Sequence, residues 1–420
     1  MRRLLAGLAF LPLAGLVACS SSSSPSGNPG TDGGGTDAGD DAGGDGFKHD
    51  VVLSMSLTVP AGAELHQCQF VQVPAGADLN VVRIAHQYTT GSHHFLLYQT
   101  DLTSIPSDLT GQYDCTQGDE PVMTHTRGIM YAGQSAHGDT PFPAGVGFTI
   151  PAGSVLMFQT HYINASKKDL LAKVDLGLDV APAETITQKA GFLIFYDPFI
   201  DLPVHGKATS GIRCNVPDDI NLLNGFTHYH QRGTGMKVYV DSSMTTPNPT
   251  PLFSTSDWEH PADFVGPSAI KGGSVVRFQC DYDNTTGTEE IFQGPNAQTS
   301  EMCVFAGLYY PVPADAKNWQ NCRQPSIVGT GTKACLDVAT CIQACPASDF
   351  PQETWSGARV GPCFERCVAT GCDGATDAFL PLGICVSSKC SAECAAGKCL
   401  DCTTTKCATE FNACAGQTCK

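Results

Sequence analysis

The sequence predicts an all-β protein: tandem antiparallel β-sandwich domains followed by a small cysteine-rich tail. Three observations carry this. Apolar runs of strand length recur between His49 and Val312, separated by Gly, Pro, Asn and Asp clusters, and none of that region has 3.6-residue periodicity. Gly and Pro contribute 44 and 27 of the 420 residues, and charged residues only 15%, a mix that favours short strands and turns over long helices. Finally, 14 of the 21 cysteines crowd into residues 335–420. That segment has few large apolar residues and needs covalent staples to hold together.

Taken in order, the chain opens with Met1–Arg2–Arg3 and an apolar run from Leu4 to Ala18. Fifteen residues are too few for a comfortable membrane span and suit a signal peptide over 1–18. Leu16–Val17–Ala18–Cys19 resembles a bacterial lipobox. That resemblance implies cleavage before Cys19 and lipidation of its thiol; the alternative is ordinary secretion with cleavage nearby. Ser20, not Asp, follows, which points to the outer membrane, on its periplasmic or cell-surface side. Residues 19–48 are Ser-, Gly- and Asp-rich and read as a flexible tether. Strands are expected at Val51–Val59, Leu79–Ile84, Phe95–Tyr98, Val155–Tyr162, Ala190–Tyr196, Met236–Val240, Ser274–Tyr282 and Val304–Tyr310. The length suits two sandwiches, 49–185 and 186–322. The cysteine-rich segment spans 323–420, with short helices expected at Phe364–Ala369 and Ala392–Lys398.

Charge and cysteine content narrow the function. A net charge of −17 argues against nucleic acid as a partner, because phosphate binding needs a concentrated basic surface. Membrane contact is expected only through the N-terminal lipid. One cysteine in twenty residues suits an oxidising compartment. With Cys19 set aside, twenty remain. Cys68, Cys115, Cys214, Cys280, Cys303 and Cys322 belong to the β region and fourteen to the tail. Six cysteines allow 15 pairings, and spacing does not choose among them. The tail contains Cys-x3-Cys and Cys-x2-Cys steps also found in zinc sites. It has no histidine, so disulfides are the first reading and metal the second.

Twelve histidines lie between residues 49 and 260. His228 and His230 are two apart in an apparent strand, so both rings should leave one face, about 6–7 Å apart at the backbone. That suits one metal ion, although His-x-His alone is a weak signal. His93–His94 are adjacent and should face opposite ways unless a bend or bulge intervenes, for which Gly91 is a candidate. His161 in Gln159–Thr160–His161–Tyr162 and Met302 in Glu301–Met302–Cys303 each read alone as core residues. His86, His125, His137, His205 and His260 are scattered and read as ordinary surface or core histidines, although His125 and His137 flank a Gly-rich loop.

In chain order the set His93–His94, Gln159-x-His161–Tyr162, His228-x-His230 and Met302–Cys303 resembles the copper type II, ascorbate-dependent monooxygenases. This is the family of peptidylglycine α-hydroxylating monooxygenase and dopamine β-monooxygenase. The resemblance covers roughly residues 50–322. It implies two tandem jelly-roll-like domains, each carrying one copper in a separate pocket, and the disulfides Cys68–Cys115, Cys214–Cys322 and Cys280–Cys303. His93, His94 and His161 would hold the first copper, which stores and passes an electron. His228, His230 and Met302 would hold the second, where O2 is used. The implied reaction hydroxylates a C–H bond of a small-molecule or peptide substrate, with ascorbate or another reductant as co-substrate. Ligand chemistry agrees: imidazole suits both copper oxidation states, thioether sulfur favours Cu(I), and zinc takes Met poorly and has no redox chemistry.

Departures from the family pattern matter. Peptide-amidating relatives have a carboxylate-binding arginine two residues before His-x-His, and Phe226 stands there. Arg232, just after the pair, would have to act from another direction. A tyrosine four residues beyond the methionine is Ala306. A less polar cleft and an uncharged substrate are expected. The competing function is a copper-binding or adhesion surface lipoprotein that keeps the fold without turnover. A zinc hydrolase is the weaker third reading, since no carboxylate general base accompanies His-x-His.

Overall fold

The computed structural model describes residues 47–115, 124–313, 322, 325–349, 352–354, 357–396 and 398–419. The expected signal peptide, Cys19 and almost all of the tether lie outside them. No helix among the described residues is long and apolar enough to cross a membrane.

The first sandwich contains β1 (Val51–Val59), β2 (Glu64–Gln72), β3 (Leu79–Tyr88), β4 (Ser92–Thr100), β5 (Gln112–Asp114), β6 (Thr126–Gly133), β7 (His137–Pro141), β8 (Val146–Ile150), β9 (Val155–Ile163), β10 (Leu170–Val180) and β11 (Gln188–Lys189). One sheet runs β1-β10-β3-β8-β11 with β7 on β3, and the other β5-β2-β9-β4-β6. β1 shows the alternation of a half-buried strand: Leu53, Met55, Leu57 and Val59 face inward while Val52, Ser54, Ser56 and Thr58 stay outside. β9 is buried on both faces. Its Leu156, Phe158 and Tyr162 enter the inter-sheet core, and Val155 and Met157 pack on the outer face with Cys68, Phe70, Tyr98 and Cys115. An uninterrupted apolar run is how such a doubly covered strand reads.

The second sandwich contains β12 (Gly191–Tyr196), β13 (Asp201–Leu202), β14 (Lys207–Asn215), β15 (Ile220–His228), β16 (Gly233–Asp241), β17 (Phe253–Thr255), β18 (Phe264–Ile270), β19 (Val275–Asp283), β20 (Ile291–Phe292), β21 (Val304–Tyr310) and β22 (Ser326–Ile327). Its two main sheets run β12-β21-β15-β18 and β17-β16-β19-β14-β22, with β13 and β20 paired as a separate ribbon. Both sandwiches are jelly-roll-like: neighbours within each sheet are mostly non-consecutive in the chain. Two edges cross the expected domain limits. β11, after residue 186, pairs with β8, and β22, after residue 322, pairs with β14.

The β12-β21-β15-β18 sheet joins the two sandwiches. Leu193, Phe195, Leu222, Phe305 and Tyr309 fill the second core. Phe192, Leu223, Phe226, Ala306 and Leu308 turn the other way and complete the first core. Fully burying a side chain of this size contributes about 1.5–3 kcal/mol, so this apolar seam fixes the sandwiches against each other. Asn224 Nδ2 donates to Thr140 Oγ1 across it at 3.0 Å, and Ser135 Oγ donates to Asp263 Oδ2 at 2.9 Å.

All six β-region cysteines are bonded, as Cys68–Cys115, Cys214–Cys322 and Cys280–Cys303, the pairs the resemblance implied. The tail is mainly helical: α1 (Cys335–Ile342), α2 (Pro362–Ala369), α3 (Ala375–Lys389), α4 (Ser391–Ala395), α5 (Cys399–Lys406) and α6 (Ala408–Gly416). Seven further bridges are Cys335–Cys414, Cys341–Cys367, Cys345–Cys363, Cys372–Cys419, Cys385–Cys407, Cys390–Cys402 and Cys394–Cys399. Every tail thiol is consumed, which overturns the zinc alternative for this segment. Val338 and Ile342 of α1 and Phe364 and Val368 of α2 join the second sandwich's core. The later helices close mainly around cysteines. The tail is therefore half docked and half self-stapled.

Candidate metal centre

Strand register builds the first part of the site. β9 lies between β2 and β4, and His161 on β9 is directly opposite both His66 on β2 and His94 on β4. Directly opposed residues share a sheet face, so three imidazoles form a row across three strands. The His66 and His161 rings stack with centroids 3.7 Å apart, and His94 meets His161 edge-on at 5.1 Å. β4 slips register between Ser92 and His94, so His93 is the extra residue of a bulge. Gly91, with φ at 105°, supplies the left-handed turn into it. The side chain of His93 lies outside the described residues.

The second sandwich supplies the rest. His228 ends β15, and its ring stands perpendicular to that of His94 with centroids 4.9 Å apart. His228 and His230 are 5.1 Å apart, also perpendicular. The expectation that both occupy one strand is corrected: β15 stops at His228, and His230 lies in the turn beyond. Its place is set by Glu301, whose carboxylate accepts the His230 N–H at 2.9 Å and the Arg232 N–H at 2.8 Å. The β15–β21 ladder ends at the pair His228–Val304, and Met302 follows directly on Ser300 and Glu301, which both bond His230. Met302 is half-buried. Its carbonyl accepts from Tyr282 Oη at 2.8 Å, and the Cys280–Cys303 bridge secures the next residue.

The two expected pockets are thus not separate. His66, His161, His94, His228 and His230 form one continuous chain of rings across the seam. Glu64 seals one end. Its Oε1 is 2.9 Å from His161 Nε2, 4.0 Å from His66 Nε2, and accepts a long 3.4 Å hydrogen bond from Ala297 N–H of the second sandwich.

Hydrogen bonds assign the tautomers. Gln134 donates through Nε2 to the Trp258 carbonyl, so its Oε1, 3.0 Å from His228 Nδ1, is the acceptor. His230 Nδ1 donates to the Ser300 carbonyl at 2.9 Å. In both rings the proton sits on Nδ1 and Nε2 carries the lone pair, the arrangement that presents imidazole to a metal. Burial pushes His66 and His230 down to about 4, opposed by the Asp114 charge at His66 and by the Ser300 carbonyl at His230. Both rings are therefore neutral at physiological pH, as ligation requires. Burial raises Glu301 to about 7 against its backbone N–H bonds, and raises Glu64 against the Ala297 N–H. Two imidazoles with oriented lone pairs, further imidazoles beside them and a carboxylate at the end of the row fit a borderline transition-metal ion.

Sequence reasoning gave no role to Glu64, His66, Gln134, Ser300 or Glu301. His66 left a trace: it precedes Cys68 by two on an alternating strand and so shares its face. Gln134 and Glu64 left none, because their partners are 94 and 97 residues away. Among the scattered histidines, His86 is a core residue held by Tyr131 Oη and the Ser135 carbonyl, and His125 pairs with Asp101.

No family model and no curated protein matches the chain. Among solved structures, the chain is similar to the major capsid protein P2 of bacteriophage PM2, at 9% identity over 63% of this chain and 99% of that one, with a TM-score of 0.23. It is also similar to the PBCV-1 VP54 protein fitted into the virophage Sputnik, at 8% identity over 62% and 94% with a TM-score of 0.21. A third similarity is to PNGF-II, at 9% over 60% and 64% with a TM-score of 0.19. Likenesses this remote carry no argument about activity.

Proposed function

We propose that this chain is a copper-dependent monooxygenase, tethered by a lipid on Cys19 to the outer membrane, that hydroxylates a C–H bond using O2 and an ascorbate-like reductant. The observation that carries the reading is the gathering of His94, His161, His228 and His230, far apart in sequence, into one cluster of rings, with the segment that carries Met302 bonded to His230 through Ser300 and Glu301. When bound, copper supplies the one-electron redox chemistry that O2 reduction requires. The protein's own groups prepare the site. Gln134 and the Ser300 carbonyl hold the Nδ1 protons of His228 and His230 and aim Nε2. Glu301 fixes the turn that carries His230. Phe226, where peptide-amidating relatives have arginine, is packed into the seam. No carboxylate clamp exists at that position, and an uncharged substrate follows.

One observation favours a second reading. His66, His161, His228 and His230 are all buried, which suits a non-catalytic copper-binding lipoprotein as well as an enzyme. Metal content with oxygen uptake separates them. Two coppers per chain and reductant-dependent O2 consumption are expected. Two coppers with no uptake across broad substrates selects the second reading, and zinc in place of copper overturns both.

A further inference from the structure

We propose that Glu64 and His66 are metal ligands, binding one divalent ion together with His161. The inference rests on the metal-binding reading above but not on copper as the ion or on oxygen chemistry. The donor atoms of Glu64, His66 and His161 all lie within 4.8 Å of one another. Ligand atoms of a single ion with bonds of about 2.0–2.2 Å stand at most about 4.4 Å apart, so a shift of a few tenths of an ångström closes the set. The shortest separation, 2.9 Å between His161 Nε2 and Glu64 Oε1, is already that of neighbouring ligands. His66 is 5% exposed, and its Nε2 has no hydrogen-bond partner among the described residues. Leaving such a buried acceptor unpaired is costly, and coordination relieves it. The three residues sit on rigid, directly paired strands, so little ordering is needed on binding.

The donor set changes the character of the first centre. An all-imidazole set, as the resemblance implied, accommodates both copper oxidation states. Adding a hard carboxylate favours a divalent ion over Cu(I).

The test uses the whole mature chain with His228→Ala and His230→Ala, which removes the second ligand pair. Zn(II) and Cu(II) are each titrated alone against a competing chelator, and bound metal is counted by mass spectrometry. The parent is expected to hold one ion. His66→Ala and Glu64→Gln should each weaken it at least tenfold, and the Cu(II) spin-resonance signal should lose one coordinating nitrogen in His66→Ala but none in Glu64→Gln. Intact mass, reporting all ten disulfides, and circular dichroism verify folding; Glu64→Asp, which keeps the charge, is the milder second variant and should fall between. Parent-like affinity in folded His66→Ala and Glu64→Gln overturns the triad while leaving the copper reading standing. Zinc binding that both variants weaken, without copper binding, upholds the triad and sinks the copper reading.

Discussion

Replacing Glu301 by glutamine is the sharpest perturbation the site offers. The Glu301 side chain is wholly buried, and its two carboxylate oxygens each accept a backbone N–H, from His230 and Arg232. Glutamine has the same shape but one acceptor. Whichever way the amide turns, one N–H faces an NH2 group. A lost hydrogen bond to a charged group removes about 1.5–3 kcal/mol, and the buried donor left behind costs about 1–3 kcal/mol more. A loss of about 2.5–6 kcal/mol follows when the carboxylate is ionised. Burial raises Glu301 to about 7, so the measurement belongs at pH 8, above that value. Guanidinium unfolding with disulfides intact gives the stability; metal retention in a Glu64→Gln background gives the geometry at His228 and His230. Both should fall. A stability change under about 1 kcal/mol together with unchanged metal binding would show that Glu301 does not set the position of His230.

Three further outcomes are expected. Phe226→Ala opens the seam between the sandwiches and should cost about 3–5 kcal/mol; because both cores meet there, calorimetry should still show one transition, and separate melting of the two sandwiches would contradict the shared core. Met302→Ile should leave folding and the first centre intact and abolish hydroxylation, with unchanged turnover removing Met302 from the second centre. The tail gives a pH dependence: burial holds the Glu365 carboxyl protonated up to about 9 against an ordinary value of 4.5, with Asp197 and Asp201 facing it and Arg366 engaged by Glu290. Unfolding then releases a proton between those values, so the stability this group contributes is complete below 4.5 and declines as pH rises toward 9; urea midpoints across that window should fall more steeply in the parent than in Glu365→Gln.

The strands read best from sequence were those with an uninterrupted or alternating apolar pattern, such as Val51–Val59 and Val155–Tyr162. β2 and β14 are not expected from sequence, because Gln67, Gln69, Thr209 and Arg213 dilute their apolar positions. The tail helices were also under-read. Their buried faces are cysteines and alanines, which give little hydrophobic periodicity, and disulfides take over the work of a core. His93 and His94 required a bulge on sequence grounds, and β4 slips register there.

The sequence by itself determined the fold class, the cysteine partition and the short motifs, because each depends on residues close in the chain or on composition. Only the tertiary structure decided that His94 touches His228, that Gln134 orients His228 and that Glu64 faces both His66 and His161. Those contacts depend on strand register and on how two sheets meet across a seam, and neither leaves a periodic mark on the chain, since a pairing across some ninety residues is chosen by the packing of the whole.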